Sequence, residues 1–76
     1  MIRFHLKELI ARHERKQGRR VTLDEIARET GIGRNTLTRL AGPTESNATT
    51  ETLDKLCEYF GCRIEELVEH VPEKAR

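Results

Sequence analysis

Four side chains that can hydrogen-bond to the edges of nucleic-acid bases stand close together in residues 34–41. They are Arg34, Asn35, Thr38 and Arg39. Arg pairs bidentately with guanine and Asn pairs bidentately with adenine, so these residue types can read a base sequence. Thr38 and Arg39 follow the first two by four positions, which puts all four on one face of a helix. The same side chains would also suit an ordinary solvated surface, and both interpretations stay open at this point.

A first helix must precede this face and hold it in place. Thr22 and Glu25 fit a capping box, in which the Thr hydroxyl accepts from the amide of the third residue and the Glu side chain reaches back to the cap. This helix is expected to run to about Thr30. Gly31 follows, and glycine suits the left-handed conformation that ends a helix and reverses the backbone.

The second helix is predicted over residues 34–41, after Gly33 as its N-cap and before a stop at Gly42 and Pro43. Four apolar residues of the two helices are expected to lie in the core: Ile26, Ala27, Leu37 and Leu40. Ile26 and Leu37 are expected to fill the wedge between the helices, and the small Ala27 allows their close approach. Two short helices joined by a tight, glycine-containing turn are the layout of a helix-turn-helix motif, here spanning residues 22–42.

The rest of the chain predicts three further helices and one small sheet. Apolar periodicity and glycine stops indicate helices over residues 6–17, 49–60 and roughly 64–69. Alternation in residues 2–5 favours a short strand, and because a lone strand needs a partner, we expect it to pair with residues near 68–71. That pairing could form within the chain or across a dimer.

Residues 5–70, with the motif at 22–42 and its continuation into TLDKLCEYFGCRIEELV, resemble the phage Cro/cI-type helix-turn-helix repressor family. The positions that match the family pattern are Thr22, Glu25, Ile26, Ala27, Gly31, Ile32, Gly33, Thr36, Leu37, Thr38, Leu40, Thr52, Leu53, Lys55, Leu56, Phe60, Gly61, Glu65, Glu66 and Leu67. The resemblance implies an all-α, compact five-helix repressor-like DNA-binding domain. It is expected as a single domain over residues 1–76, with the small sheet added and a frayed tail at 73–76.

This resemblance also implies how the chain would bind double-stranded DNA. Helix 34–41 is then the recognition helix in the major groove, and its base-reading residues are Arg34, Asn35, Thr38 and Arg39. The first helix of the motif meets the DNA backbone, where its free amides and positive end favour a phosphate. The residues expected to contact phosphates are Thr22, Gly33, Thr36 and Arg20.

The net charge of +1 hides an uneven distribution of charge. Residues 1–20 hold seven Lys and Arg against two acids, whereas residues 43–76 hold four against eight. One basic run either attracts DNA or is a solvated surface: Arg12, Arg15, Lys16, Arg19 and Arg20.

Two features of the sequence depart from the family pattern and weaken contacts with the DNA backbone. Leu23 stands where a polar residue is common, and the loop 42–48 contains Glu45 but no Lys or Arg.

Length and composition exclude several other classes of protein. A chain of 76 residues leaves little room for a large substrate cavity, and it has neither an apolar stretch near the 18 or so residues that span a bilayer nor a signal peptide. Cys57 and Cys62 have neither the spacing of a zinc site nor that of a disulfide framework, so buried, reduced thiols are expected. No residue constellation predicts an enzyme, a metal site or a cofactor.

The sequence therefore predicts a cytoplasmic, sequence-specific DNA-binding transcriptional regulator, with neither a membrane nor a small-molecule substrate as partner. A single helix reads only a few base pairs, so a homodimer on an inverted repeat is expected, joined through the N-terminal strand or the fifth helix. The alternative is a helix-turn-helix protein-interaction module, antitoxin-like or adaptor-like, with weak or no DNA binding. The acidic last third of the chain keeps that alternative open.

Overall fold

A computed structural model describes residues 1–42 and 47–72, and within these ranges the chain forms five α-helices and two short β-strands. Their bounds are β1 Ile2–Phe4, α1 Leu6–Gln17, α2 Leu23–Thr30, α3 Arg34–Ala41, α4 Thr50–Phe60, α5 Ile64–Leu67 and β2 Val68–His70. The predicted helical, repressor-like architecture with a small sheet is confirmed. The tail predicted at 73–76 and most of the loop after α3 lie outside the described residues.

Each helix contributes apolar side chains to one shared core, because these side chains recur at helical spacing and all turn inward. The buried residues are Leu6, Leu9, Val21, Ile26, Ile32, Leu37, Leu40, Leu56, Phe60 and Leu67. Three of the four core residues predicted for α2 and α3 are in this set, and Ala27 packs against it partly buried. No polar or charged side chain of the described residues is buried, so the core is purely apolar.

The start of α2 forms only half of the predicted capping box. The hydroxyl of Thr22 accepts from the backbone amide of Glu25 at 3.2 Å, as expected. The return contact is wrong, since the Glu25 carboxylate lies against Arg19 and accepts two hydrogen bonds of 2.9 and 2.7 Å from its guanidinium. A bidentate, charge-assisted pair is stronger than a bond to a neutral amide, which explains why the Glu25 carboxylate bonds Arg19 rather than the backbone amide of Thr22.

The two strands pair antiparallel within the chain, which decides between the two arrangements left open above. Phe4 lies opposite Val68, and Ile2 lies opposite His70. Beyond the strands, the amino group of Met1 donates to the carbonyl of Val71, and the Val71 amide donates to the carbonyl of Met1, both at 2.8 Å. The first and last described segments are therefore bonded to each other.

The fifth helix is shorter than the sequence predicts. It ends at Leu67 rather than near residue 69, because the backbone turns extended at Val68, with φ −128° and ψ 155°. The amide of His5 donates to the carbonyl of Leu67 at 2.8 Å, so hydrogen bonding to the N-terminal segment begins where the helix ends. A β-branched valine tolerates the extended conformation well, and pairing with β1 decides the outcome.

Candidate nucleic-acid interface

The turn between α2 and α3 fixes the direction in which α3 leaves. Gly31 has φ +80°, the left-handed conformation that a residue with a side chain rarely adopts. The hydroxyl of Thr30 donates to the carbonyl of Ile26 at 2.7 Å and accepts from the amide of Ile32 at 3.2 Å. Ile32 is only 7% exposed, so the turn is anchored in the core as well as hydrogen-bonded. The turn between the two helices is thus held by a hydroxyl bonded on both sides and by a buried side chain.

α3 has two distinct faces, as its sequence predicts. Leu37 and Leu40 are buried, with 0% and 3% of their surfaces exposed. The four predicted base-reading residues all lie on the exposed part of the helix: Arg34, Asn35, Thr38 and Arg39. Their common exposure agrees with the predicted recognition surface, while their role as base readers stays a prediction.

The hydroxyl of Thr38 is partly engaged within α3 itself. It donates to the carbonyl of Arg34 at 3.0 Å, one helical turn earlier. Its lone pairs and its methyl group are what the side chain offers outward. Those groups can accept from a base amino group or contact a thymine methyl, which is the repertoire of Thr in the major groove.

A contact that the sequence did not reveal joins the N-terminal ends of α2 and α3. Asp24 Oδ1 accepts from Arg34 Nη1 at 2.6 Å, and both side chains are largely exposed. Asp24 lies in the first turn of α2, and its separation of ten residues from Arg34 is no recognisable pairing signal in the sequence. Close approach of the two helix ends brings the pair together, and this approach depends on the geometry of the turn.

The residues predicted to contact phosphates lie at or beside these same helix ends. Thr22 caps α2, and Gly33 caps α3 without any side-chain hydrogen bond. The first-turn amides of α3 are therefore uncapped by a side chain, which favours an anion at that end. Thr36 is half-buried in the first turn of α3, and Arg20 is exposed just before α2.

The basic run of residues 12–20 does not form one uniform positive face. Arg12 pairs with Glu66 at 3.5 Å, and Arg19 is held by Glu25. Arg15, Arg19 and Arg20 line one shallow depression at the end of α1. Glu14 lines the same depression, and Arg12 and Arg19 form ion pairs, so part of the positive charge of this run is neutralised within the chain.

A groove between α2 and α4 has the opposite charge. It is lined by Glu29, Thr30, Asp54, Lys55, Glu58 and Tyr59, with three carboxylates against one ammonium group. Such a surface repels phosphate. This groove is therefore unfavourable for a phosphate.

The hydrogen bonds from Arg19 lower the pKa of Glu25, because they favour its charged form. A backbone hydrogen bond at Arg63, followed by the side chain of Arg12, acts in the same direction on the pKa of Glu66. Both carboxylates therefore stay ionised at neutral pH and help to hold the ends of α2 and α5.

Cys57 and Cys62 are free thiols, as predicted, but each is half-buried rather than fully buried. The amide of Cys62 donates to the carbonyl of Cys57 at 3.1 Å where α4 ends. Burial, with the Cys57 thiol as the next cause, raises the pKa of Cys62 to about 11. The described residues contain no group of three or more side chains arranged to bind a metal.

The described part of the chain has no helix that combines the length and the apolarity needed to cross a bilayer.

A family model described as Cro/C1-type HTH DNA-binding domain matches residues 5–73. The match takes in all five helices and β2, and it leaves out β1. No curated protein and no solved structure gives a match.

Proposed function

Because the chain belongs to the Cro/C1-type helix-turn-helix DNA-binding family, we propose that it is a sequence-specific transcriptional regulator that places α3 in the major groove of double-stranded DNA. The observation that carries this proposal is the division of α3 into two faces. Leu37 and Leu40 hold one face in the core, and four side chains able to bond base edges occupy the other.

The phosphate contacts are assigned to the helix ends that flank α3. Thr22, Gly33, Thr36 and Arg20 lie where uncapped amides, a hydroxyl and a guanidinium can meet the DNA backbone. Contacts of this kind fix the register of the protein on the duplex and carry no sequence information. Base contacts from α3 then supply the specificity.

The functional unit in this proposal is a homodimer on an inverted repeat. One α3 helix covers only a few base pairs, so two copies with half-sites about one helical turn, roughly 34–36 Å, apart would provide useful specificity. The chain would act in the cytoplasm, on DNA of bacterial, phage or mobile-element origin.

Selection from a pool of random duplexes tests the proposal directly. We expect enrichment of an inverted repeat, and affinity for it that falls steeply with salt, because each neutralised phosphate releases counterions. A flat salt response, or no shift with any duplex, would instead favour the helix-turn-helix interaction module. Sedimentation of the protein with and without the selected duplex then gives the number of copies bound.

A further inference from the structure

The ion pair between Asp24 and Arg34 links the two helices of the motif. Asp24 belongs to α2, which would face the DNA phosphates, and Arg34 belongs to α3, which would read the bases. Asp24 lies in the first turn of α2, and Arg34 opens α3. Their 2.6 Å contact uses only Nη1 of the guanidinium. Among the described residues, Asp24 is the partner found for the Arg34 guanidinium. A guanidinium has five N–H donors in a fixed fork, so its edge formed by Nε and Nη2 can make a second, bidentate contact.

Holding the guanidinium in advance changes what Arg34 does on DNA. A long side chain that is free in solution must be ordered when it binds a base, and a side chain already held by a carboxylate loses less freedom. The edge left over has the geometry that pairs with O6 and N7 of guanine. The contact with Asp24 therefore holds the Arg34 side chain in one orientation before DNA binds.

The negative charge of Asp24 also lowers the affinity for DNA of any sequence. Asp24 is 71% exposed and Arg34 is 52% exposed, so both charges act at the surface that meets DNA. The carboxylate neutralises much of the attraction of Arg34 for phosphates and itself repels them. The Asp24 carboxylate therefore lowers the affinity for unrelated DNA. At a site with guanine in the right place, the base contact of Arg34 compensates for this loss.

We propose that Asp24 is a positioning residue for Arg34, which directs this side chain to a single guanine at the cost of affinity for DNA in general. This inference rests on the proposed function. It adds to it a residue that contacts neither base nor phosphate favourably and yet sets specificity at one position of the half-site.

The test compares wild-type protein with Asp24→Asn, which keeps the shape of the side chain and removes its charge. Affinities are measured for the selected duplex, for variants with each guanine of the half-site replaced, and for an unrelated duplex. We expect Asp24→Asn to bind the unrelated duplex several-fold more tightly and to lose about fivefold or more of the discrimination at one guanine. Thermal unfolding by circular dichroism checks that the variant folds.

Two controls separate positioning from a simple change in charge. Glu29→Gln removes an equal charge from the other end of α2, where the side chain is exposed, and it should leave discrimination at every base unchanged. In an Arg34→Ala background, Asp24→Asn should no longer affect discrimination at that guanine, because the residue it positions is gone.

The outcomes are distinguishable. If wild-type protein enriches no sequence, the proposed function fails and the role of Asp24 fails with it. If wild-type protein enriches a site but Asp24→Asn discriminates as well as wild type at every guanine, only the positioning role is wrong. The same holds if Asp24→Asn loses discrimination equally with and without Arg34.

Discussion

The carboxylate of Glu14, on α1, accepts a hydrogen bond from the backbone amide of Val21 across a distance of 2.8 Å. Val21 is 5% exposed and directly precedes the cap of α2, so its amide has no helical partner. The backbone carbonyl of Glu14 also accepts from the amides of Gly18 and Arg19. One residue thus ends α1 and holds the segment from which the helix-turn-helix motif starts.

Replacing Glu14 with Ala should destabilise the fold by about 1 kcal/mol, because a part-buried amide loses its acceptor. Glu14→Gln keeps an acceptor oxygen and should cost less. Urea unfolding followed by circular dichroism measures both. Glu58→Ala, at an exposed position of α4, is the matched control and should change stability by less than about 0.5 kcal/mol. Equal losses in Glu14→Ala and Glu58→Ala would mean that the contact with Val21 contributes nothing.

Arg39→Ala and Arg34→Ala should each weaken binding to the selected duplex by about 1–3 kcal/mol and relax the preference at one base position. Fluorescence anisotropy with single-base variants of the duplex measures both effects. Arg63→Ala removes the same charge from a side chain that is 80% exposed at the start of α5, and it should leave the base preference intact. A variant of Arg34 or Arg39 with unchanged specificity would remove that residue from the base-reading set.

Arg20→Ala should behave differently, because this residue is assigned to a phosphate. Affinity should fall by a similar factor for the selected duplex and for unrelated ones, and the slope of log K against log salt should decrease by about 1. Titrations at four or five salt concentrations give this slope. A change confined to one base pair would instead make Arg20 a base reader.

Alkaline pH should destabilise the protein through Cys62. Its pKa is about 11 in the folded chain, against 9.0 as the ordinary value, so the folded state holds this proton more tightly than the unfolded state does. The resulting stability is fully present below about pH 9 and is lost as pH rises towards 11. Burial raises the pKa of Tyr59 in the same direction.

Unfolding midpoints in urea between neutral pH and about pH 10.5 measure this loss, a window that lies below the folded-state pKa of Cys62. Cys62→Ala should show a shallower decline than wild type, and the residual decline belongs to Tyr59 and other groups. Parallel profiles for the two proteins would show that the Cys62 thiol does not couple folding to pH.

Local features of this fold could be predicted from the sequence because their causes are local. The bounds of α1 and α3 follow from apolar periodicity and from a glycine directly after each helix. Alternation in the first residues predicted β1 and its partner near residues 68–71, and the observed pairing lies within that range. The end of α5 differs from the prediction because Val68 continues the apolar pattern of the helix, whereas pairing with β1 draws this β-branched residue into a strand.

The contacts that shape the candidate site could not be predicted in the same way. Periodicity identifies which face of a helix is exposed, but it does not identify the partner that faces it. Asp24 meets Arg34, and Glu25 meets Arg19 rather than its own cap, because the turn and the α1–α2 link bring these side chains within reach. Such pairs depend on the crossing of helices in space, which has no counterpart in sequence spacing.

The bond between Met1 and Val71 spans a sequence separation of 70 residues, whereas the helices between them are built from contacts over three or four residues. In kinetic terms, local helices can form quickly, while closing a loop of nearly the whole chain carries the largest entropy cost. The small sheet is therefore expected to form last and to open first. Amide protons in β1 should then exchange with solvent through local opening, well before those of the core helices, so exchange in β1 reports whether the small sheet has formed.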